Sequence, residues 1–201
     1  MSMNYLAHFA LSNLNQASLI GNYLGDFVRG KTIEDYSLPI QEGIKLHRTI
    51  DSYTDCHPIV VQSKQRIPQP FRRYSGILID VFYDHFLCQH WQAFYSIPLI
   101  DFVQYVYQTL AEYEEQFPER AKMFSQRMKQ ENILISYTSI EGIRSALERI
   151  EQRLRQPNNL RDGIRYLTHS FHQLENDFLT FYPQLEKYIN ESFPKSFVVS
   201  D

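Results

Sequence analysis

An all-α fold is what this 201-residue chain predicts. Apolar residues recur at spacings near 3.6 in almost every segment. Nine prolines cut the chain into pieces of helical length. No run reads as a strand, and seven glycines are too few for a turn-rich sandwich or barrel. The length predicts a single helical domain, with 1–92 as the chemistry-rich half and 93–201 completing the bundle.

The elements follow in order. Residues 3–14 and 17–29 predict two short helices broken near Asn15. Residues 39–56 predict a helix with Leu46, Ile50 and Tyr53 on one stripe, and Pro58 starts a short helix over 58–66. Residues 71–92 predict the most hydrophobic helix, apolar nearly all round, which belongs at the centre of a bundle. Amphipathic helices are expected at 100–116 and 139–155, and a charged one at 118–130. The stretch 132–138 is ambiguous. Residues 159–181 and 183–192 predict two closing helices divided by Pro183.

The 43% apolar content excludes bulk disorder, and a net charge of −3 excludes a nonspecific nucleic-acid binder. The two cysteines form neither a CxxC pair nor a disulfide framework, which suggests a reduced compartment. Residues 1–14 lack a basic n-region, and 77–88 is too short and too acidic to span a bilayer. A soluble cytoplasmic protein is expected. The skewed feature is histidine: His8, His47, His57, His85 and His90, five of seven, lie in the first 90 residues.

Four groups of polar residues sit among apolar ones. Asp80 and Asp84 share a helix face with Ile77, Leu87 and Trp91, and no lysine or arginine lies between Tyr74 and Trp91. Two such carboxylates each carry a desolvation cost of roughly several kcal/mol unless a metal or a distant arginine neutralises them. A cap or a salt bridge to another helix is the structural alternative. His47, Asp51 and Asp55 follow at i, i+4 steps, a spacing that suits one divalent ion or a ligand with its orienting partner, but also a solvated charged face. Gly21 and Gly25 suggest close helix packing, with Asn22, Asp26 and Arg29 on the polar side. Asn4 and His8 are again i, i+4, though a lone histidine on a terminal helix is more often a core group. Oxygen-rich ligation with one or two imidazoles suits Mn²⁺, Mg²⁺ or Fe²⁺ better than structural zinc. From Cys56 to Ile79 there is no acidic residue, while Lys64, Arg66, Arg72 and Arg73 fall within ten positions. That surface would suit an acidic partner, or be balanced by acids elsewhere.

The segments Asn4-Tyr-Leu-Ala-His8, Gly21-Asn22-x-x-x-Asp26-Phe-Val-Arg29-Gly30, Gly43-Ile-x-x-His47-Arg48-x-Ile-Asp51 and Asp80-Val-x-x-Asp84-His85 together resemble the acyl carrier protein phosphodiesterase family. The resemblance is dense over 4–91. It implies a helical fold similar to that of the HD phosphohydrolases and hydrolysis of the phosphodiester joining 4′-phosphopantetheine to a serine of holo-acyl carrier protein. It also implies a divalent cation, usually Mn²⁺, and an acidic carrier protein as partner, with neither nucleic acid nor membrane involved. This chain has no His followed directly by Asp, so a ligand set cannot be copied from HD enzymes. The expected metal ligands are Asp26, His47, Asp80 and Asp84. Asp51 or His85 would move a proton, Arg29 or Arg48 would stabilise phosphoryl charge, and Lys64, Arg66, Arg72 and Arg73 would dock the carrier. Two rival readings are an HD-like hydrolase of a small nucleotide and a non-enzymatic carrier-protein-binding bundle.

Overall fold

The computed structural model describes residues 5–154 and 159–194. Asn4 and Pro157 lie outside them. Among the described residues there are twelve α-helices and no strand. They are α1 (Tyr5–Ala10), α2 (Gln16–Leu24), α3 (Leu38–Cys56), α4 (Pro58–Gln65), α5 (Ser75–Gln89), α6 (Trp91–Phe94), α7 (Leu99–Glu112), α8 (Glu119–Gln130), α9 (Ile133–Ser136), α10 (Ile140–Glu151), α11 (Ile164–His169) and α12 (Phe171–Ser192). Short 3₁₀ turns join several of them. None of these helices is long and apolar enough to cross a membrane.

Helix α5 takes the central place its composition predicts. It packs against α1, α4, α10 and α12, and Leu78, Ile79, Val81, Phe82, Phe86 and Leu87 are all buried. Phe86 meets Phe178 of α12 at 6.0 Å between centroids, and Phe178 stacks on Tyr182 at 5.2 Å. Side-chain caps act where short polar residues precede helices. Asn15 accepts from the Ser18 amide at 2.9 Å and Ser139 from the Gly142 amide at 3.0 Å. His57 does the same at the start of α4, accepting from Ile59 at 3.3 Å.

The structure corrects several expectations: α1 ends at Ala10 rather than residue 14, the helix expected over 71–92 is a 3₁₀ turn followed by α5 and α6, and the one expected over 159–181 is broken at Ser170. The helix predicted over 17–29 ends at Leu24, and Asp26 lies in the turn that follows. The ambiguous stretch 132–138 contains the single turn α9. Pro183 does not divide the last helix, because α12 runs through it. Proline removes the backbone donor to the Leu179 carbonyl, while the neighbouring turn adds side-chain bonds of its own, Gln184 to the Thr180 carbonyl at 2.8 Å and the Thr180 hydroxyl to the Asn176 carbonyl at 2.7 Å. Phe178, Phe181, Tyr182, Leu185 and Ile189 bury a continuous stripe across the proline, and that packing outweighs the local preference for a break.

Candidate metal centre

The site forms where α1, α2 and α3 meet one end of α5. Helix α1 has only six residues, too few to be stable alone. Its first turn is anchored by Asp84 of α5, whose two carboxylate oxygens accept from the amides of Leu6 at 3.0 Å and Ala7 at 3.1 Å. Asp84 is completely buried. Burial pushes its carboxyl up to about 8, and the two amides pull the other way. Helix α1 thus delivers His8 to the interior. Helices α2 and α3 cross with their backbones nearly touching: a Cβ on Gly21 would strike the Ile40 carbonyl, and one on Gly43 would lie 2.6 Å from the Ser18 carbonyl. Gly25 makes room for a ring, since a Cβ there would collide with the imidazole of His47.

In this corner His8 Nε2 lies 3.1 Å from Asp51 Oδ1, and His47 Nε2 lies 3.3 Å from Asp51 Oδ2. The two imidazoles stack, with centroids 4.3 Å apart and planes at 27°. One ligating atom from each of His8, His47 and Asp51 falls within 4.8 Å of the others. Asp26 flanks the trio: its Oδ1 is 3.8 Å from His47 Nε2, and its Oδ2 accepts from the Tyr5 hydroxyl at 2.8 Å. Burial alone would lower the pKa of His8, but the hydrogen bond and charge of Asp51 outweigh it and leave it raised. His47 is lowered, first by burial and then by the neighbouring His8. Burial would raise Asp51, yet its hydrogen bonds to His47 and His8 hold it far below the usual carboxylate range. Two imidazoles and a carboxylate in one small volume fit a divalent cation. The Asp51 side chain keeps 35% of its surface exposed, which leaves an entry path.

The expected ligands separate in space. His47 is in the trio, Asp26 is at its edge, and Asp51, expected to move a proton, is in the trio itself. Asp80 stands beside the trio, half-buried. Burial pushes its carboxyl up to about 7; Lys64 opposes that rise, and Asp51 and Asp55 add to it. Asp84 spends both oxygens on the start of α1. His85 is turned to the other side of α5, where its Nδ1 meets the Tyr137 carbonyl at 2.7 Å and its ring faces Phe86 and Phe171. Arg48 reaches the Val28 carbonyl at 3.4 Å, which brings its guanidinium to the extended segment that carries Arg29.

The basic stretch is partly occupied within the chain. Arg66 makes a bidentate pair with Asp177, at 2.9 and 3.2 Å, and Lys64 reaches Asp55 at 2.7 Å. The Arg72 Nε donates to the Ile67 carbonyl at 3.0 Å, and the Arg73 guanidinium lies 4.6 Å from the centroid of the Tyr74 ring. Arg72 and Arg73 are exposed. The residue that sequence reasoning left at the margin is His8. Its signal was the Asn4–His8 spacing, too weak alone because the partners of His8 lie on two other helices.

A family described as acyl carrier protein phosphodiesterase matches residues 3–185. A protein of that name from Klebsiella pneumoniae (strain 342) is 37% identical over 184 residues, covering 91% of this chain and 95% of the relative. One from Pectobacterium atrosepticum is 35% identical over the same coverage. One from Photorhabdus laumondii is 31% identical over 195 residues, covering 95% of this chain and 98% of the relative. No solved structure matches. The motifs around His8, Asn22, Asp26, His47, Asp51 and Asp84 therefore lie inside a match that spans nearly the whole chain, and the chain belongs to the acyl carrier protein phosphodiesterase family.

Proposed function

We propose that this protein hydrolyses the phosphodiester between 4′-phosphopantetheine and the serine of holo-acyl carrier protein, releasing apo-carrier protein and 4′-phosphopantetheine, and that it does so with a divalent cation, Mn²⁺ foremost. The observation that carries this is the convergence of His8 Nε2, His47 Nε2 and both oxygens of Asp51 in one corner. Family membership supports a carrier protein as the substrate. A cation there would supply Lewis acidity towards a phosphoryl oxygen and lower the pKa of water.

The chain's own groups divide the remaining work. Asp80, beside the trio with its carboxyl raised towards neutrality, takes the proton of the attacking water. Asp26, held by Tyr5, balances charge beside His47. Arg48 and Arg29, beside one extended segment, serve the phosphoryl oxygens, where a guanidinium offers paired donors. Arg72 and Arg73 receive the acidic carrier, while the Arg66 and Lys64 pairs reduce what those two residues offer a partner.

The test is incubation of the purified protein with holo-carrier protein and Mn²⁺, read by intact-protein mass. Loss of the prosthetic group from the carrier, abolished by EDTA, is expected. An unchanged carrier mass under these conditions overturns the proposal.

A further inference from the structure

Asn22 is completely buried and has no part in the scheme above, yet it touches both histidines of the trio. Its Oδ1 lies 2.8 Å from His8 Nδ1 and 3.2 Å from His47 Nδ1. Its Nδ2 donates to the His8 carbonyl at 2.7 Å and to the Ser12 hydroxyl at 3.1 Å. That hydroxyl spends its own hydrogen on the same His8 carbonyl, at 3.0 Å.

Each ring thus has an acceptor at both nitrogens, Asn22 Oδ1 at Nδ1 and an Asp51 oxygen at Nε2, and only a protonated ring can donate to both; for neutral rings Asn22 competes with Asp51 for the single hydrogen. A backbone carbonyl only accepts, so the amino end of the Asn22 carboxamide must face His8 O. Its oxygen must then face the rings. A carboxamide oxygen only accepts too, so a ring that bonds it carries its hydrogen on Nδ1. A neutral imidazole has a single N–H, so neutral rings bonded this way keep both Nε2 atoms as lone pairs. Those are the two nitrogens aimed at Asp51. Lone pairs facing a carboxylate repel one another unless positive charge lies between them.

We propose that Asn22 is a positioning residue that sets the tautomer of His8 and His47 together, so that both Nε2 atoms are ready to ligate a cation. It acts through the two rings and touches neither substrate nor metal. Sharing one acceptor also explains why the rings stack at 4.3 Å. Without Asn22 either ring could place its hydrogen on Nε2 and form an ordinary hydrogen bond to Asp51. That would close the site to metal. The inference rests on the trio being a cation site, but not on the identity of the substrate.

Two measurements test it, and neither uses carrier protein. The first is side-chain ¹⁵N NMR of the metal-free wild-type protein, at a pH where both rings are neutral. Hydrogen on Nδ1 of both His8 and His47 is expected, and hydrogen on Nε2 of either ring overturns the proposal. The second is Mn²⁺ titration calorimetry of Asn22→Leu and Asn22→Asp. Asn22→Leu removes the acceptor at similar volume, and its Mn²⁺ affinity should fall roughly 10–100-fold, the usual cost of losing a group that orients ligands. Asn22→Asp keeps the acceptor and should recover most of that loss. Wild-type affinity in a folded Asn22→Leu overturns the proposal. If that variant does not fold, the wild-type spectrum decides alone. A carrier-protein assay that fails while both measurements succeed would remove the proposed reaction and leave Asn22 in its role.

Discussion

Both faces of α5 have buried histidines nearby, on different terms. On one side His8 and His47 share Asn22 through Nδ1 and aim Nε2 at Asp51. On the other, His85 gives Nδ1 to the Tyr137 carbonyl among phenylalanines, and burial lowers its pKa. The rings are alike in burial. They differ in what the second nitrogen meets. Convergence of second nitrogens on a carboxylate makes a candidate cation site, whereas one carbonyl and apolar walls make a packing histidine.

The sharpest way to break this contrast is to remove one ring from each side. Substituting His47→Ala should abolish Mn²⁺-dependent stabilisation, which for the wild type at metal about 100-fold above its Kd amounts to about 2.7 kcal/mol. His85→Gln should keep that stabilisation. Thermal denaturation with and without Mn²⁺ reads both, and a lost Mn²⁺ response in His85→Gln would erase the distinction.

A smaller effect should follow from Asp84→Ala. Its oxygens serve backbone amides, so the loss should resemble loss of a helix cap with unsatisfied donors, about 2 kcal/mol by chemical denaturation. Because α1 carries His8, Mn²⁺ affinity should also weaken. Undiminished affinity would show that His8 reaches the trio without its anchor.

The smallest effect separates Asp80 from Asp84 by pH. A carboxyl whose folded pKa lies above its unfolded one contributes fully below about pH 4, and the contribution is lost as pH rises through the folded value. For Asp80 that window closes near 7. In metal-free protein, Asp80→Asn should therefore gain Tm over wild type between pH 5 and pH 8, by roughly a few degrees. A constant Tm difference across that range would mean that the Asp80 carboxyl is solvated.

Local signals in the sequence were enough for much of the fold. Prolines and periodicity placed α3 and α4 within a residue of their observed ends, and the apolar run over 71–92 announced the central helix, which occupies Ser75–Gln89. Pro183 misled because a buried aromatic stripe on both sides of it decides the helix, and packing of that kind is invisible to a local rule. The site was legible only in part. His47 and Asp51 could be read together because they share one helix. His8 could not, because its partners are a residue 14 positions away and another 43 away. Asp80 and Asp84 share a face yet have different neighbours, Lys64 and Asp51 for one and the start of α1 for the other, so equal spacing concealed unequal roles.

The contact between Gly21 and Gly43 has a mechanical consequence. Where two helices meet through side chains, their separation drifts as those side chains change. Here backbone meets backbone, so the gap between Asn22 and His47 is gauged by main-chain atoms that every residue carries. The surrounding core can be rebuilt over many generations without moving Asn22 away from His47, while one added methyl at either glycine would spread them at once. The tolerance of this centre is thus set by two absent side chains.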